Sequence, residues 1–554
     1  MNPLSNGLIA TDSVFAPEVP MPPLPPYWRS LPRAFVSQAR ARRTEPAVAD
    51  GTGESLTYGE LLVRALALGR VLGRILGPEP NLGVYLPPSV AAVLANVAVV
   101  LLGKKPVNLN YTAGRELVDS AVRQAELSHV LTARKAVEKF GAPPRAELFF
   151  LEDLPPRVTA RDRIFAAVAA RVVPLPALGM LLPGLRGESL EGTAAIRFTS
   201  GATGDPKGVV LSHRNILSNV WQIEAHLEPL PGETVLGALP FFHAMGFTVT
   251  LWAVLCLGRR AVYHTNPLDA RIIGELCREH RITFLFLTPT FLRTYLRRCD
   301  RGMFATVRRI GLGAEKLKPE LGREIRAALE AELLEGYGTT ETAPVVAFNV
   351  DRDLVTRDGR VVPGNRPGSV GRPLPGTAIK TIDPDTEANL PWGSEGIVCV
   401  KGPQVMIGYL DRPEATARVL RDGWYVTDDI GRVDEDGFLH ITGRVSRFSK
   451  IGGELVPHER VELAVRAAAG VDEQAVAVTA VADLARGERL AVVYVDLGGK
   501  SPAEVIRAMT DAGLPRLWVP GPADFLRVES IPLLGTGKID LRQLRRLAGE
   551  QLGG

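Results

Sequence analysis

Cysteine is scarce in this chain, which has four cysteines in 554 residues. Their positions have no paired spacing, and this excludes a disulfide framework and the usual zinc-binding patterns. We therefore expect a cytoplasmic protein whose thiols are reduced and buried. The four residues are Cys256, Cys277, Cys299 and Cys399.

Long apolar runs and an excess of one charge are also missing. The stretch from Val90 to Leu102 is too short to span a bilayer and follows Pro87-Pro88, which predicts a buried helix. The formal net charge is only +4, and no block of Lys and Arg resembles a nucleic-acid-binding arm. Residues 1–29 are rich in proline and lack the pattern of a signal peptide, which predicts a flexible leader.

The order of apolar patterns predicts an α/β protein with two domains. The length exceeds what one hydrophobic core can organise. Strand-like runs alternate with helical patterns from about 55 to 340, which predicts parallel sheets covered by helices, and short runs with Gly/Pro turns at 345–442 predict a smaller antiparallel β unit. We predict a large domain at 30–445 and a small, mobile α+β domain at 446–554.

The segment 155–187 fits this pattern poorly because it is apolar, interrupted by proline and dotted with arginine. It has no acidic residue between Asp162 and Glu188. We expect a hydrophobic strap that packs between subdomains. A peripheral contact with the inner membrane is the alternative, because cationic apolar segments can lie at a membrane surface.

A glycine-rich loop at 199–208 has the composition of a polyphosphate site. Its glycines allow consecutive backbone N–H groups to point at an anion, its hydroxyls add donors, and Lys207 adds a positive charge. The loop lies between two strand-like runs and lacks the Gly-Lys-Ser/Thr ending of a Walker A loop. An ordinary glycine-rich hairpin is the alternative. The residues concerned are Thr199, Ser200, Gly201, Thr203, Gly204, Lys207 and Gly208.

Two further motifs carry carboxylates suited to a nucleotide. In 335–341, Gly336 and Gly338 let the backbone approach a ligand, and Glu341 is a hard oxygen ligand suited to Mg²⁺. In 424–429, Asp429 can accept hydrogen bonds from the two hydroxyls of a ribose.

These motifs strongly resemble the AMP-forming adenylate synthetases, which comprise acyl-CoA and acyl-ACP synthetases, peptide-synthetase adenylation domains and luciferases. The resemblance runs from about 30 to 547, with Ala202 and Asp428 as departures from the usual pattern. The strongest likeness is to the acyl-ACP synthetase part of the bacterial acyltransferase/acyl-ACP synthetase, through Leu-Pro-Phe-Phe-His at 239–243 and Arg-Phe-Ser-Lys at 447–450.

The resemblance implies a role for each matching residue. Lys538 would bridge the attacking carboxylate and the α-phosphate, Thr340 would touch the α-phosphate, and Glu341 would hold Mg²⁺. Tyr337 would stack on adenine. The other nucleotide-binding positions implied by the resemblance are Gly313, Ala314, Glu315, Gly336, Gly338, Thr339, Asp429 and Arg444. Substrate contacts are expected from Phe242, His243, Trp252, Gly311 and Gly313. A structural histidine at a helix start is the alternative for His243. Arg447 would be the hinge of the small domain, and Lys450, Gly452 and Gly453 would border a pantetheine channel.

The implied reaction is activation of a fatty acid by MgATP, followed by transfer to the thiol of CoA or of an acyl carrier protein. Gly311 and Gly313 leave one face of a strand bare and could open a slot for an acyl chain. No charged residue in these stretches is arranged to bind the ammonium of an amino acid. Two alternatives stay open: an acyl-AMP ligase with a non-thiol acceptor, and a non-catalytic relative that binds nucleotide or lipid.

Overall fold

The computed structural model describes residues 20–186, 189–199, 206–228, 230, 232–355, 359–444, 447–451, 454–483, 487–533 and 539–553. The architecture is mixed α/β, with parallel sheets in the larger N-terminal part and a separate α+β unit after it, as the sequence predicts. The α-helices are α1 (Leu31–Ala41), α2 (Tyr58–Ile75), α3 (Val90–Leu101), α4 (Arg115–Gln124), α5 (Arg134–Phe140), α6 (Ala160–Arg171), α7 (Leu175–Leu181), α8 (His213–Leu227), α9 (Val254–Leu257), α10 (Ala270–Glu279), α11 (Pro289–Arg298), α12 (Pro319–Ala328), α13 (Pro413–Val419), α14 (His458–Ala469), α15 (Pro502–Asp511) and α16 (Leu541–Leu552).

The strands alternate with these helices through most of the larger part and follow one another between 345 and 444. They are β1 (Pro46–Asp50), β2 (Ser55–Thr57), β3 (Asn81–Tyr85), β4 (Lys105–Asn108), β5 (His129–Thr132), β6 (Glu147–Phe150), β7 (Thr193–Phe198), β8 (Gly208–Ser212), β9 (Thr234–Gly237), β10 (Arg260–Tyr263), β11 (Phe284–Leu287), β12 (Arg309–Leu312), β13 (Glu332–Gly338), β14 (Val345–Phe348), β15 (Asp353–Val355), β16 (Val361–Pro363), β17 (Arg372–Pro373), β18 (Ala378–Ile382), β19 (Gly396–Lys401), β20 (Gly408–Tyr409), β21 (Leu420–Arg421), β22 (Trp424–Val433), β23 (Leu439–Arg444), β24 (Phe448–Ile451), β25 (Glu454–Pro457), β26 (Val476–Asp483), β27 (Gly487–Tyr494) and β28 (Phe525–Arg527).

Two parallel sheets form the frame of the larger part. One has the order β17-β14-β13-β12-β11-β9-β10-β1-β2, and its strands from β13 to β1 are parallel. The other has the order β4-β3-β5-β6 and is parallel throughout. Helix α3, which is buried along its length, packs beside them, as predicted from the run at 90–102. Among the described helices, none is both long and apolar enough to cross a bilayer.

The larger part also contains antiparallel sheets. Strands β7 and β8 form the hairpin that encloses the glycine-rich loop, and β20 pairs with β8. The predicted antiparallel unit contains β18, β19, β22, β21 and β23. Within it, the register of β22 and β23 sets Asp429 opposite Arg444.

The last sheet has the order β25-β24-β27-β26, with β28 alongside β27. Alternate side chains of β26 enter two cores, as the two-residue period of a strand requires. Val476 and Val478 pack with α14 and α15, whereas Ala477 and Val481 pack with α16. The predicted boundary at 445 falls just after β23, and it stays a prediction.

The segment 155–187 forms α6 and α7 and packs by one side only. Ala166, Ala169 and Leu178 are buried in the main core. Thr159 caps α6, and the buried Asp162 of its first turn pairs with Arg74 of α2 at 2.7 Å. The expected strap is therefore a pair of surface helices whose outer side remains exposed.

Candidate functional site

A cavity of about 1580 Å³ opens where several parallel strands end. The segments after β9, β11 and β12 and the end of β13 all contribute to its wall, which is the usual place for a ligand in an open α/β sheet. Its wall is partly apolar, and it also contains polar side chains from the antiparallel unit and from the C-terminal part. The apolar residues include Leu239, Phe242, Met245, Phe286, Leu287, Leu312 and Phe348.

Asp429 is a buried carboxylate on the wall of this cavity, with 3% of its surface exposed. Its Oδ2 accepts a hydrogen bond from the Tyr337 hydroxyl at 2.7 Å, and its Oδ1 accepts one from Arg444 Nε at 2.8 Å. Burial, and then the charge of Asp429, raises the pKa of Tyr337, which keeps that hydroxyl a donor. The pKa of Arg444 is raised chiefly by Asp429. The carboxylate is thus fixed in position by two hydrogen-bond donors.

Glu341 is a second buried carboxylate on the same wall, in the short turn Thr340–Thr342. Its Oε1 accepts a hydrogen bond from the Tyr409 hydroxyl at 2.9 Å. Burial, and then Glu341, raises the pKa of Tyr409. Within the described residues, no cluster of three or more His, Cys, Asp or Glu side chains could hold a metal by itself. A single carboxylate suits Mg²⁺, which takes its other ligands from water and phosphate oxygens.

The glycine-rich hairpin reaches the cavity beside Glu341. Thr199 and Lys207 line the cavity, and the Thr199 N–H donates to the Lys207 carbonyl at 3.0 Å. Lys207 Nζ lies 4.9 Å from the centre of the ring of Tyr409, the residue whose hydroxyl donates to Glu341. Four predicted phosphate contacts lie outside the described residues: Ser200, Gly201, Thr203 and Gly204.

The predicted adenine and acyl segments also line the cavity, with one difference in packing. Gly311, Gly313, Ala314 and Glu315 all lie on its wall, and Glu315 accepts a hydrogen bond from the Thr290 hydroxyl at 2.7 Å. The bare side of Gly311 is not an open slot, because a Cβ there would lie 2.7 Å from the Phe286 ring. The glycine lets this ring pack against the strand.

Gly336, Gly338, Thr339 and Thr340 line the cavity next to Glu341. A side chain on Gly338 would overlap the Pro344 carbonyl oxygen, so this position requires glycine. Tyr337 lies between these glycines, but it is not among the lining residues: its ring packs with the antiparallel unit and its hydroxyl bonds Asp429.

Aromatic residues surround the predicted substrate end. Phe242 and His243 line the cavity with their rings 4.7 Å apart, and Tyr111 packs on Phe242 at 4.9 Å. Trp252 is placed differently from the prediction. It is fully buried against Phe247 in the main core and does not line the cavity.

The C-terminal part closes one side of the cavity through Glu488, Leu533 and Arg545. Arg545 donates to Glu488 at 2.8 Å. Leu533 pairs with Ile539 in an isolated β-bridge. The predicted catalytic Lys538, on the segment between these two residues, lies outside the described residues.

The predicted hinge and channel residues belong to this C-terminal part. Arg447 is buried, and its guanidinium bonds Glu462 at 2.6 Å and the Val478 carbonyl at 3.0 Å, so its side chain is anchored inside that part. Lys450 lies in β24, and Gly452 and Gly453 lie outside the described residues.

Several cavity residues were not predicted from the sequence. Tyr409 and Arg545 stand in no recognised motif, and long-range strand pairing and helix packing bring them to the site. Tyr425 and Thr427 stand within a recognised motif, where a β-strand's alternation could have indicated that they share a side with Asp429. All four line the cavity.

The fold and the cavity define a two-part α/β protein whose candidate ligand site is lined by residues of both parts. The chain belongs to the AMP-binding enzyme family, whose model matches residues 35–410.

Known relatives match the chain over nearly its whole length. It is 28% identical over 562 residues to a long-chain-fatty-acid–CoA ligase of Salmonella typhimurium, covering 95% of this chain and 96% of the relative. It is 30% identical over 529 residues to a feruloyl-CoA synthase of an Amycolatopsis species, covering 93% of this chain and 98% of the relative. The crystal structure of ATP-bound MatB from Rhodopseudomonas palustris is similar to it, with a TM-score of 0.74 and 27% identity, covering 94% of this chain and 99% of MatB.

Proposed function

We propose that the protein uses MgATP to convert a fatty acid to an acyl-adenylate and then transfers the acyl group to the thiol of CoA. The observation that carries this proposal is that Thr199, Lys207, Glu341 and Asp429 line one cavity. The phosphates, the magnesium ion and the ribose of one ATP molecule can therefore bind side by side. A separate site for any of these groups would be incompatible with the reaction.

In the first step, an oxygen of the fatty acid carboxylate attacks the α-phosphorus of ATP, and pyrophosphate leaves. Glu341 holds Mg²⁺ together with phosphate oxygens, and Thr340 contacts the α-phosphate. Lys538 bridges the carboxylate and the α-phosphate and so reduces their repulsion. Its role is supported by the bridge between Leu533 and Ile539, since these residues flank its segment and Leu533 lines the cavity.

In the second step, the thiol sulfur attacks the acyl carbonyl, the bond to AMP breaks, and AMP leaves. We infer that the C-terminal part rotates about Arg447 between the steps, which withdraws Lys538 and brings Lys450, Gly452 and Gly453 to the pantetheine channel. CoA is favoured as acceptor by the names of the relatives. The likeness to acyl-ACP synthetases makes holo-acyl carrier protein the second candidate.

The acid is inferred from the apolar wall and from the fatty acid ligase among the relatives. The test is ATP–pyrophosphate exchange with saturated fatty acids of increasing length and with ferulate as the aromatic comparison. Exchange with fatty acids supports the proposal, and exchange with ferulate alone would redirect it to aromatic acids. No exchange with any acid would contradict the adenylation step. Product formation with CoA and with holo-acyl carrier protein, measured separately, then identifies the acceptor.

Replacing Lys538 by alanine should separate the two steps. We expect Lys538→Ala to lower the exchange rate by about a hundredfold or more, because one positive charge stabilises the transition state of adenylation only. The same variant should still form thioester from synthetic acyl-adenylate. Lys500→Ala, which removes an exposed lysine of the same part, is the control and should leave both rates unchanged. Full exchange activity in Lys538→Ala would refute the assignment.

A further inference from the structure

Helices α6 and α7 carry an exposed apolar surface, here called the α6–α7 face. Ile164, Val168 and Val172 are 65%, 47% and 74% exposed, and they recur every four residues along one side of α6. Met180 and Leu181 of α7 are 67% and 52% exposed. A concentration of large apolar side chains in contact with water is typical of a surface that binds something.

The opposite side of α6 is bonded to helices α1 and α2, so the exposed face cannot rotate into the core. Asp162 is buried and accepts hydrogen bonds from Arg70 and Arg74 of α2. Arg40 of α1 donates to the carbonyls of Ala169 and Val173 at the end of α6. These bonds fix the helix with its apolar stripe outward.

The surroundings of the face are positively charged. Asp162 is the only acidic residue in 155–186, and it is buried in its ion pairs. The exposed arginines of the segment are Arg157, Arg161, Arg163, Arg171 and Arg186.

We propose that the α6–α7 face docks on an anionic lipid bilayer. The apolar side chains enter the headgroup region, and the arginines bind the lipid phosphates, which match the guanidinium geometry. The positive charge of the arginines favours an anionic bilayer over a second copy of the chain as the partner of this face. A symmetric dimer through the face would place the same arginines of the two copies against each other. The docking is independent of the proposed function, because it depends only on this surface.

The test is co-sedimentation of the full-length protein with vesicles. We expect binding to vesicles of phosphatidylcholine and phosphatidylglycerol in equal parts, weaker binding to phosphatidylcholine alone, and loss of binding at high salt. The combined variant Ile164→Ser, Val168→Ser, Val172→Ser should partition about tenfold more weakly. The control combines Val355→Ser with Val361→Ser on the β15–β16 hairpin, where both side chains are exposed, and should bind like the wild type.

A second variant keeps the test conclusive if the serine variant does not fold. Arg161→Gln with Arg163→Gln and Arg171→Gln keeps the apolar stripe and should lose the part of the binding that depends on phosphatidylglycerol. Unchanged vesicle binding in both variants would overturn the proposal. It would also be overturned if the wild type bound no vesicles and formed a lipid-free dimer that the serine variant abolished, because the face would then be a self-association surface. Neither result depends on ligase activity.

Discussion

The two carboxylates of the cavity, Glu341 and Asp429, show how the surroundings of a single residue fix its position. Each is largely buried, which would be costly for an unpaired charge, and each accepts a hydrogen bond from a tyrosine hydroxyl. The pKa of each tyrosine, Tyr409 and Tyr337, is raised, so both hydroxyls stay protonated donors. The hydrogen bonds therefore orient both carboxylates before any ligand binds.

Removing the charge of Asp429 tests its part in binding the nucleotide. We expect Asp429→Asn to raise the KM for ATP in pyrophosphate exchange by about ten- to a hundredfold, because charge-assisted hydrogen bonds are worth about 1.5–3 kcal/mol. The fold should persist, since asparagine has the same shape. Glu435→Gln, an exposed change at the turn of the same hairpin, is the control. An unchanged KM for ATP would exclude Asp429 from the nucleotide site.

Residues within contiguous motifs were predictable, and residues brought in by distant pairing were not. Glu341 and Asp429 follow from local patterns that carry their own chemistry, and Arg444 follows from the family resemblance. Tyr409 reaches Glu341 only because β20 pairs with β8, with Tyr409 opposite Val209. That pairing joins segments about 200 residues apart in the chain, and no local pattern encodes it.

Elements of regular period were predicted well, and one irregular element was not. Helix α2 begins at Tyr58, where Thr57 and Glu60 exchange hydrogen bonds in a capping box that leaves a mark in the local sequence. The apolar run that contains Trp252 forms a π-helix at Gly246–Ala253. This element is buried all round, so its hydrophobicity has no period from which the helix type or the direction of Trp252 could be read.

Helix α6 offers a test at the scale of one element. Its Asp162 caps the helix and joins it to α2, and the hydrogen bonds from Arg74 and Arg70 hold its pKa well below the usual range. We expect Asp162→Asn to lower the free energy of unfolding at pH 7 by about 2 kcal/mol, because it breaks these pairs. The contribution is present above the ordinary carboxyl pKa and is lost on acidification, so wild type and variant should converge at low pH.

Urea unfolding at several pH values measures this difference. Asp153→Asn is the matched control, because Asp153 forms an exposed pair with Arg134 and should change the stability much less. A stability difference between wild type and Asp162→Asn that stayed constant down to low pH would contradict the electrostatic explanation.

In the molecule as a whole, the sequence pattern predicted the division into a large α/β part and a small α+β part, because the order of strands and helices changes near 345 and 444. It could not predict which surface of the small part faces the cavity. That surface depends on packing between elements with no shared sequence signal, and it includes Glu488, Leu533 and Arg545.

Arg545 tests whether this arrangement matters for the first step. We expect Arg545→Ala to lower the rate of pyrophosphate exchange by about tenfold, because Arg545 is a cation on the wall of the cavity where the proposed function binds the phosphates of ATP. Thioester formation from synthetic acyl-adenylate should change little. Arg546→Ala is the matched control, since Arg546 is the next residue of α16, is exposed and does not line the cavity. Equal effects of the two substitutions would indicate a general charge effect.

Three histidines, of which His226 and His458 are buried and His213 is partly buried, predict that the folded protein is sensitive to mild acid. Burial lowers the pKa of His213 and His226 from 6.5 to about 4 and that of His458 to about 3. Each is hydrogen-bonded: His213 Nδ1 accepts from the Leu31 N–H, His226 Nε2 bonds the Phe348 carbonyl, and His458 Nε2 bonds the Ser449 hydroxyl. Since these rings bind a proton readily only when the chain unfolds, the unfolded state gains protons first as the pH falls below 6.5.

Stability should therefore be full above pH 6.5 and fall steadily as the pH is lowered toward 4, with a cost at pH 5 of about 2 kcal/mol for each histidine. Urea unfolding of the wild type measures the slope, and His226→Gln should reduce it by about a third, because glutamine can donate to Phe348 without titrating. If stability did not change between pH 6.5 and 5, or if His226→Gln kept the full slope, the buried histidines would not be the source of acid sensitivity.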